Sequence, residues 1–199
     1  MTNPTPTDHP VHALISERWS PRAFTETLIR DEDMRSLFEA ARWAPSCKNQ
    51  QPWSFVVATR DDTAAFQRLF ECLMPGNQSW AGRAAALVLS VAEVRGGDGA
   101  TNAYAVHDTA LAVCNLLLQA TSMGLHAHQM GGFDRDKARG DLHLPDTHDP
   151  VAMMALGHVA DADTLPDDLR ARELEPRTRR PLDEFVYGPT WGASANLVK

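Results

Sequence analysis

The stretch RWAPSCKNQQPWSFVV, residues 42–57, joins an amphipathic helical pattern to an apolar strand pattern, and the fold is arranged around it. Pro45 and Pro52 each disfavour helical geometry in the residue before them, so the segment between them is predicted to be a turning or extended loop. Its amide and hydroxyl side chains, such as Ser46 and Asn49, offer hydrogen-bond donors and acceptors but no nucleophile beside a base. This profile favours a site that holds a planar ligand rich in heteroatoms. The alternative is a polar connection between a helix and a strand.

Hydrophobic spacing extends the pattern in both directions along the chain. Apolar runs bounded by turn residues predict strands at 54–59, 84–92, 125–130 and 151–156. Apolar residues at helical spacing predict helices at 11–17, from a cap at Asp31 to just before Pro45, at 63–73, at 102–123, and at 135–142 after a cap at Asp134. Residues 77–80 and 161–176 have neither pattern and are predicted to be irregular.

The predicted helix at 102–123 is the longest one, and it follows a glycine-rich break at 96–99. It is apolar around almost its whole circumference, which requires burial either at the centre of the fold or at a subunit contact. Gly124 is predicted to end this helix. Beyond the next strand, Gly131 and Gly132 would allow a backbone to approach a ligand closely.

Composition limits the classes of function. The 199 residues fit one domain, predicted to span 1–199, and a hydrophobic content of 43% suffices for a sizeable core. A net charge of −7 argues against nucleic-acid binding, and no apolar run reaches the roughly 18 residues of a membrane span. The first ten residues lack the pattern of a secretion signal, so we expect none, and the three widely spaced cysteines fit neither a zinc site nor a disulfide framework. We therefore expect a reducing, cytoplasmic location.

A cationic fork lies near the N-terminus, where Arg18 and Arg22 flank Ser20, and Pro21 prevents a helix between them. Arginine is permanently charged and can bind a phosphate through two parallel hydrogen bonds, so the fork suits a phosphate group. Two ordinary surface arginines are the alternative.

The histidine and cysteine patterns predict neither a catalytic residue nor a metal site. His126 and His128 would point the same way on a strand, but they lack cysteine or carboxylate companions in the sequence. His107 and Asp108 are adjacent on a predicted helix and should not face each other, so we expect a helical or interface role for them. Cys47, in the loop, is either a redox-sensitive thiol or a small buried one.

Taken in order, these motifs resemble those of the nitroreductase family of FMN-dependent oxidoreductases. The resemblance runs almost end to end, and its most specific part is the A-P-S-x-x-N-x-Q-P-W run at 44–53. The other parts are the R-x-S-x-R fork at 18–22, the long central helix, G-G-F-D at 131–134, A-L-G at 155–157 and R-R-P-L at 179–182.

The resemblance implies a fold and an assembly. The fold is of the α+β class, with helices that wrap a mixed, mostly antiparallel sheet. The assembly is an intertwined homodimer in which the C-terminal extension, about residues 177–199, packs on the partner subunit. This arrangement would account for both the apolar central helix and the long tail.

The resemblance also implies which residues bind FMN at the subunit interface. Arg18 and Arg22 would meet the phosphate and ribityl region, with Trp19 and Ser20 beside them. Either Arg179 or Arg180, near the C-terminus, would also contact the phosphate.

Three further segments would surround the flavin ring. The loop residues that lie along the isoalloxazine of the other subunit would be Pro45, Ser46, Cys47 and Asn49. The segment that passes the ring edge, with a backbone N–H near N5, would be Gln129, Met130, Gly131 and Gly132. Asn77 would lie on the pyrimidine side of the flavin or against the nicotinamide.

The activity implied by the resemblance is a two-step transfer of electrons. NAD(P)H would reduce the flavin at N5, and a nitroaromatic, quinone or similar electron-poor acceptor would be reduced in a second step at the same site, giving ping-pong kinetics. Alternatives within the fold are a flavin store or sensor and an oxygen-dependent branch that acts on the flavin or on halogenated aromatics. A dimeric interaction protein whose arginines are only surface charge is a further alternative.

Overall fold

The computed structural model describes residues 5–97 and 99–198. Residues 1–4, Asp98 in the glycine-rich break and Lys199 at the end of the predicted C-terminal extension lie outside the described residues. A four-stranded sheet forms the centre, with its strands in the order β1-β2-β4-β3. The strands are β1 (Trp53–Thr59), β2 (Ala86–Glu93), β3 (His126–Met130) and β4 (His148–Gly157). All four strand predictions are confirmed to within a few residues at their ends.

Every pairing in this sheet is antiparallel. The predicted α+β class is therefore confirmed, whereas the sheet of the described residues is wholly antiparallel rather than mixed. Strand β2 lies between β1 and β4 and is buried from Ala86 to Ala92. Its side chains alternate between two hydrophobic clusters, with Leu87 and Leu89 on one side and Val88 on the other. Both faces of the sheet are thus covered, which explains why the strand is a continuous apolar run.

Seven α-helices surround the sheet. They are α1 (Ala13–Glu17), α2 (Asp31–Arg42), α3 (Thr63–Phe70), α4 (Pro75–Ala81), α5 (Ala105–Ser122), α6 (Arg135–Asp141) and α7 (Asp167–Leu174), counted over the described residues. Helices α2 and α5 cover one face of the sheet. The other face is covered by side chains from α3, α4, α6 and α7.

Two segments predicted to be irregular are helical, and one predicted cap is wrong. Residues 77–80 belong to α4, because Pro75 can occupy the first turn of a helix and Trp80 is buried against the core. Residues 161–176 contain α7, in which Leu169 and Glu173 are buried. The apolar pattern of this helix is too weak to predict it from the sequence. Asp31 is the first helical residue rather than the cap, a position that Arg30 takes without a side-chain capping bond.

Helix α5 packs against the sheet and α2 along one side only. Ala112, Leu116 and Ala120 are buried there, while Val106 is 50% exposed and Cys114 is exposed on the outer side. The apolar outer side therefore faces away from the core of its own chain. None of the helices within the described residues has the length and apolar character needed to cross a lipid bilayer.

Strand β3 brings a titratable side chain into the core beneath the N-terminal segment. The Nδ1–H of His128 is within 3.0 Å of the Pro21 carbonyl oxygen, and the His128 ring packs on Trp80 with 4.6 Å between ring centroids. Burial lowers the pKa of His128 to about 4, although the bond to Pro21 opposes this shift. The neutral imidazole of His128, which donates through Nδ1, is therefore the form that is stable in the folded protein.

We expect His128 to make the protein sensitive to acid between about pH 6.5 and pH 4. The unfolded chain, with an ordinary histidine pKa of about 6.5, binds a proton before the folded chain does, so the free energy of unfolding should fall by up to about 3 kcal/mol across this window. His128→Gln keeps an N–H donor for Pro21 without a titrating ring and should flatten the dependence. Urea unfolding at several pH values measures it, and an unchanged slope in the variant would contradict the prediction.

Candidate functional site

A cleft of about 190 Å³ forms where the segment at 18–22 meets the segment at 172–179. One wall comes from the segment between α1 and α2, and the other comes from the end of α7 and the residues after it. The lining residues are Arg18, Trp19, Ser20, Arg22, Arg172, Glu173, Glu175, Arg177 and Arg179. We call this the arginine cleft. The cleft thus brings together the predicted N-terminal fork and one of the two candidate C-terminal arginines.

The neighbouring Arg180 does not line the arginine cleft. Its guanidinium carbon lies over the ring of Phe185, 5.7 Å from the ring centroid. The sequence did not distinguish Arg179 from Arg180 as the arginine that closes on the phosphate. In the structure, Arg179 lines the arginine cleft and Arg180 does not.

Two side chains from the C-terminal wall hold the backbone of the N-terminal wall. The Glu173 carboxylate accepts hydrogen bonds from the backbone N–H groups of Arg22, at 2.8 Å, and Ala23, at 3.0 Å. The Arg177 guanidinium donates to the carbonyl oxygens of Ser16, at 3.2 Å, and Arg18, at 2.7 Å. The fork is therefore clasped at both of its ends. Neither Glu173 nor Arg177 was identified from the sequence.

The charges in the cleft are unbalanced, with five arginines against two glutamates. Burial, and next the charge of Arg179, lowers the pKa of Arg18. Burial, and next the charge of Arg172, lowers the pKa of Arg22, with Glu173 opposing the shift. These guanidinium groups remain charged at neutral pH, so their mutual repulsion costs free energy that a bound anion would relieve.

A buried donor beside these charges has no protein acceptor. Trp19 lines the cleft and is buried, and its indole Nε1 has no hydrogen-bond partner among the described residues. A buried N–H left unpaired costs about 1–3 kcal/mol. The guanidinium groups and the Ser20 hydroxyl together form a donor set that fits the oxygens of a phosphate monoester, whereas the Trp19 Nε1 atom is too deeply buried to contact a ligand in the cleft.

The polar loop after α2 has a strained backbone. It contains a short 3₁₀ turn, Cys47–Asn49, and has positive φ angles at Lys48 (53°), Asn49 (55°) and Gln51 (50°). Such angles are uncommon for residues other than glycine, and strain of this kind concentrates at functional sites. Pro45 and Asn49 are exposed, so the loop presents polar groups to the outside of the chain.

A buried carboxylate on α5 holds this loop. Asp108 is 2% exposed, and its Oδ2 accepts the N–H of Cys47 at 2.8 Å while its Oδ1 lies 2.9 Å from His107 Nδ1. The expectation that His107 and Asp108 do not face each other is wrong, because this distance joins the two side chains directly. Burial disfavours the ionised form, but the bonds from His107 and Cys47 keep the pKa of Asp108 below its ordinary value. An acid inside an apolar helix was the signal available in the sequence.

A third set of predicted residues meets at the end of β3. The Asn77 amide nitrogen donates to the Gly132 carbonyl oxygen at 2.9 Å, and the Met74 N–H donates to the same oxygen at 3.0 Å. A Cβ atom at Gly132 would lie 3.0 Å from the Asn77 amide nitrogen, so a side chain there would crowd this contact. Gln129 and Gly131 are exposed, and Met130 is buried. Neither this set nor the strained loop lines the arginine cleft of the same chain.

Comparisons with known proteins agree with one another. A model of the Nitroreductase family matches residues 15–158. A crystal structure of an oxidoreductase containing FMN aligns with a TM-score of 0.91 and 35% identity over 98% of this chain and 99% of that one. A candidate nitroreductase from Desulfovibrio desulfuricans, in complex with FMN, aligns with a TM-score of 0.70 and 26% identity over 93% and 99% of the two chains. An NADH dehydrogenase from Thermus thermophilus is 28% identical over 85% of this chain and 91% of that protein.

We predict that the bond from Cys47 to Asp108 stabilises the loop far more than the bond from His107 does. Asp108→Ala leaves the Cys47 N–H unpaired and should lower the free energy of unfolding by about 2–3 kcal/mol. His107→Ala removes an exposed partner and should cost less than about 1 kcal/mol. Urea unfolding of the two variants tests this, and equal losses would contradict it.

Proposed function

Because the chain belongs to the nitroreductase family, we propose that it is an FMN-dependent oxidoreductase that passes electrons from NAD(P)H to nitroaromatics, quinones or similar electron-poor acceptors. The relatives that contain FMN support the choice of flavin. The choice of electron donor is supported by the name of the Thermus thermophilus relative.

The observation that carries the proposal is the arginine cleft. An FMN phosphate is a dianion at neutral pH, and it would offset the excess positive charge of the cleft. We assign Arg18, Arg22 and Arg179 as the phosphate-binding arginines. Ser20, whose hydroxyl oxygen is 3.5 Å from an Arg18 guanidinium nitrogen, would add a neutral donor.

When bound, FMN would supply the redox chemistry by accepting hydride from NAD(P)H and reducing an acceptor at the same site, which gives ping-pong kinetics. The protein would supply binding, orientation and access. We assign Pro45, Ser46, Cys47 and Asn49 to contact with the flavin ring. The strained backbone of this loop, held by Asp108, would keep these groups fixed at the moment of transfer.

The backbone N–H groups at the end of β3 and directly after it are assigned to the edge of the flavin ring. Gln129, Met130, Gly131 and Gly132 form this segment, and exposure of both glycines leaves their backbone open to a ligand. We assign Asn77 first to the support of this segment, since its amide already donates to Gly132. Neither the proposal nor the geometry calls for a catalytic base among these residues.

We further propose that two copies of the chain form the site. In one chain the strained loop does not line the arginine cleft, so the loop of a partner would complete the binding site. The predicted C-terminal extension, about 177–199, begins on its own chain, where Arg177 bonds to Ser16 and Arg18, so its later part would pack on the partner, which suits the exposure of Trp191 (89%) and Leu197 (83%). The apolar outer side of α5, including Val106, would supply the rest of the interface.

The proposal predicts a yellow, dimeric protein that NADH or NADPH can reduce. Anaerobic stopped-flow mixing should bleach the flavin band, and a quinone should restore it. The same preparation should sediment with twice the 21.9 kDa mass of the chain. A colourless protein that does not take up added FMN would contradict flavin binding. A yellow protein that neither nucleotide reduces would instead be a flavin store or sensor, or an oxygen-dependent member of the fold.

Neighbouring arginines provide a matched test of the phosphate assignment. Arg179→Ala should weaken FMN binding about tenfold, because it removes a charged donor from the cleft. Arg180→Ala removes the same charge from the neighbouring residue outside the cleft, and should change the affinity by less than about twofold. Titration of flavin fluorescence measures both affinities. Equal losses of FMN affinity in the two variants would contradict the assignment of Arg179, because they would show that only the overall charge of the protein affects binding.

A further inference from the structure

Glu173 is a buried carboxylate that neither the sequence motifs nor the family match assigns to a role. It lies on α7, beyond the residues 15–158 that the family model matches. It is 3% exposed, and within the described residues only Asp108 is a comparably buried acid. Its position in the wall of an anion-binding cleft needs an explanation, because a negative charge there repels the anion that the cleft would bind.

The contacts of Glu173 are mainly with backbone. The Arg22 N–H lies 2.8 Å from one carboxylate oxygen and 3.0 Å from the other, and the Ala23 N–H lies 3.0 Å from the first. The distance from the carboxylate to the Arg22 guanidinium is longer, 3.6 Å. The strongest bonds of Glu173 therefore go to the peptide groups, and the Arg22 guanidinium keeps donors for another anion.

These contacts fix the geometry of the fork. Pro21 has no N–H, so the N–H groups of the next two residues are the first donors available after it, and Glu173 accepts both of them. A carboxylate binds N–H groups about twice as strongly as a neutral acceptor does. The carbonyl groups of the same segment are held by His128, at Pro21, and by the Ala160 N–H, at Ala23, so Glu173 completes the set of bonds that determines where the Arg22 side chain leaves the backbone.

Glu175 provides a contrast within the same cleft. It lines the cleft and carries the same charge, but it is exposed and lies outside α7. A carboxylate there can only oppose a bound anion, whereas the Glu173 carboxylate also orients the arginines that hold the anion.

We propose that Glu173 is a positioning residue which orients Arg22 toward the phosphate and so makes the protein prefer FMN to riboflavin. This inference rests on the proposed function, since it requires the phosphate of FMN to bind in the arginine cleft. It predicts a result that runs against simple electrostatics, because removal of a negative charge from the cleft should weaken the binding of an anion.

The test compares affinities for FMN and riboflavin in dimeric protein freed of flavin, measured by quenching of flavin fluorescence. Glu173→Gln keeps the size of the side chain but loses the charge-assisted bonds, and we expect the preference for FMN over riboflavin to fall about tenfold. Riboflavin affinity should stay near that of the unmodified protein, because riboflavin has no phosphate. Glu175→Gln, the matched control, removes repulsion only, and its preference for FMN should be equal to or greater than that of the unmodified protein.

Each outcome has a definite meaning. A Glu173→Gln protein with an unchanged or increased FMN preference, or one that loses both flavins equally, would overturn the proposal. If Glu173→Gln does not fold, as judged by its thermal unfolding, Glu173→Asp takes its place. That variant keeps the charge but shortens the reach to the two N–H groups, so it should also lose FMN preference, and full retention would overturn the proposal. Failure of the unmodified protein to distinguish FMN from riboflavin would instead refute the phosphate site itself.

Discussion

A clasp between residues 16–23 and residues 173–177 is the constraint on which the site depends. Glu173 accepts the N–H groups at one end of the N-terminal fork, and Arg177 donates to carbonyl oxygens at the other end. Both side chains bond to backbone, so they set the path of the chain rather than the position of one side chain. A segment of only a few residues, interrupted by a proline, thereby becomes a rigid wall that faces a second wall of like charge.

The same physical device appears twice in this molecule. Asp108 and Glu173 are buried carboxylates, and each accepts N–H groups from an irregular segment that no regular structure would satisfy. A buried charge is costly unless hydrogen bonds compensate for it, so each carboxylate stabilises one backbone conformation and disfavours the others. One holds the strained loop after α2, and the other holds the fork. In the proposed dimer, these two segments would face opposite ends of one flavin.

Patterns that repeat along the chain made much of the fold predictable. Strand β2 is covered on both faces and therefore reads as an unbroken apolar run, and Gly124 ends α5 with a positive φ, as its lack of a side chain allows. Helices α4 and α7 escaped prediction because their local signals are weak. Helix α4 begins with a proline and a glycine, and α7 is short and mostly charged. Both are stabilised by single side chains that enter the core, such as Trp80 and Leu169, and that depends on residues distant in sequence.

The sequence by itself determined the fold class, the order of the strands along the chain, the location of the polar loop and the resemblance to a flavoprotein family. These properties depend on residue types at short, regular spacing. Only the tertiary structure decided that Arg179 rather than Arg180 faces the cleft, that Glu173 accepts the N–H groups of the fork, and that Asp108 bonds to the loop. The reason is that direction and burial of a side chain follow from packing between segments up to 161 residues apart, which no local pattern records.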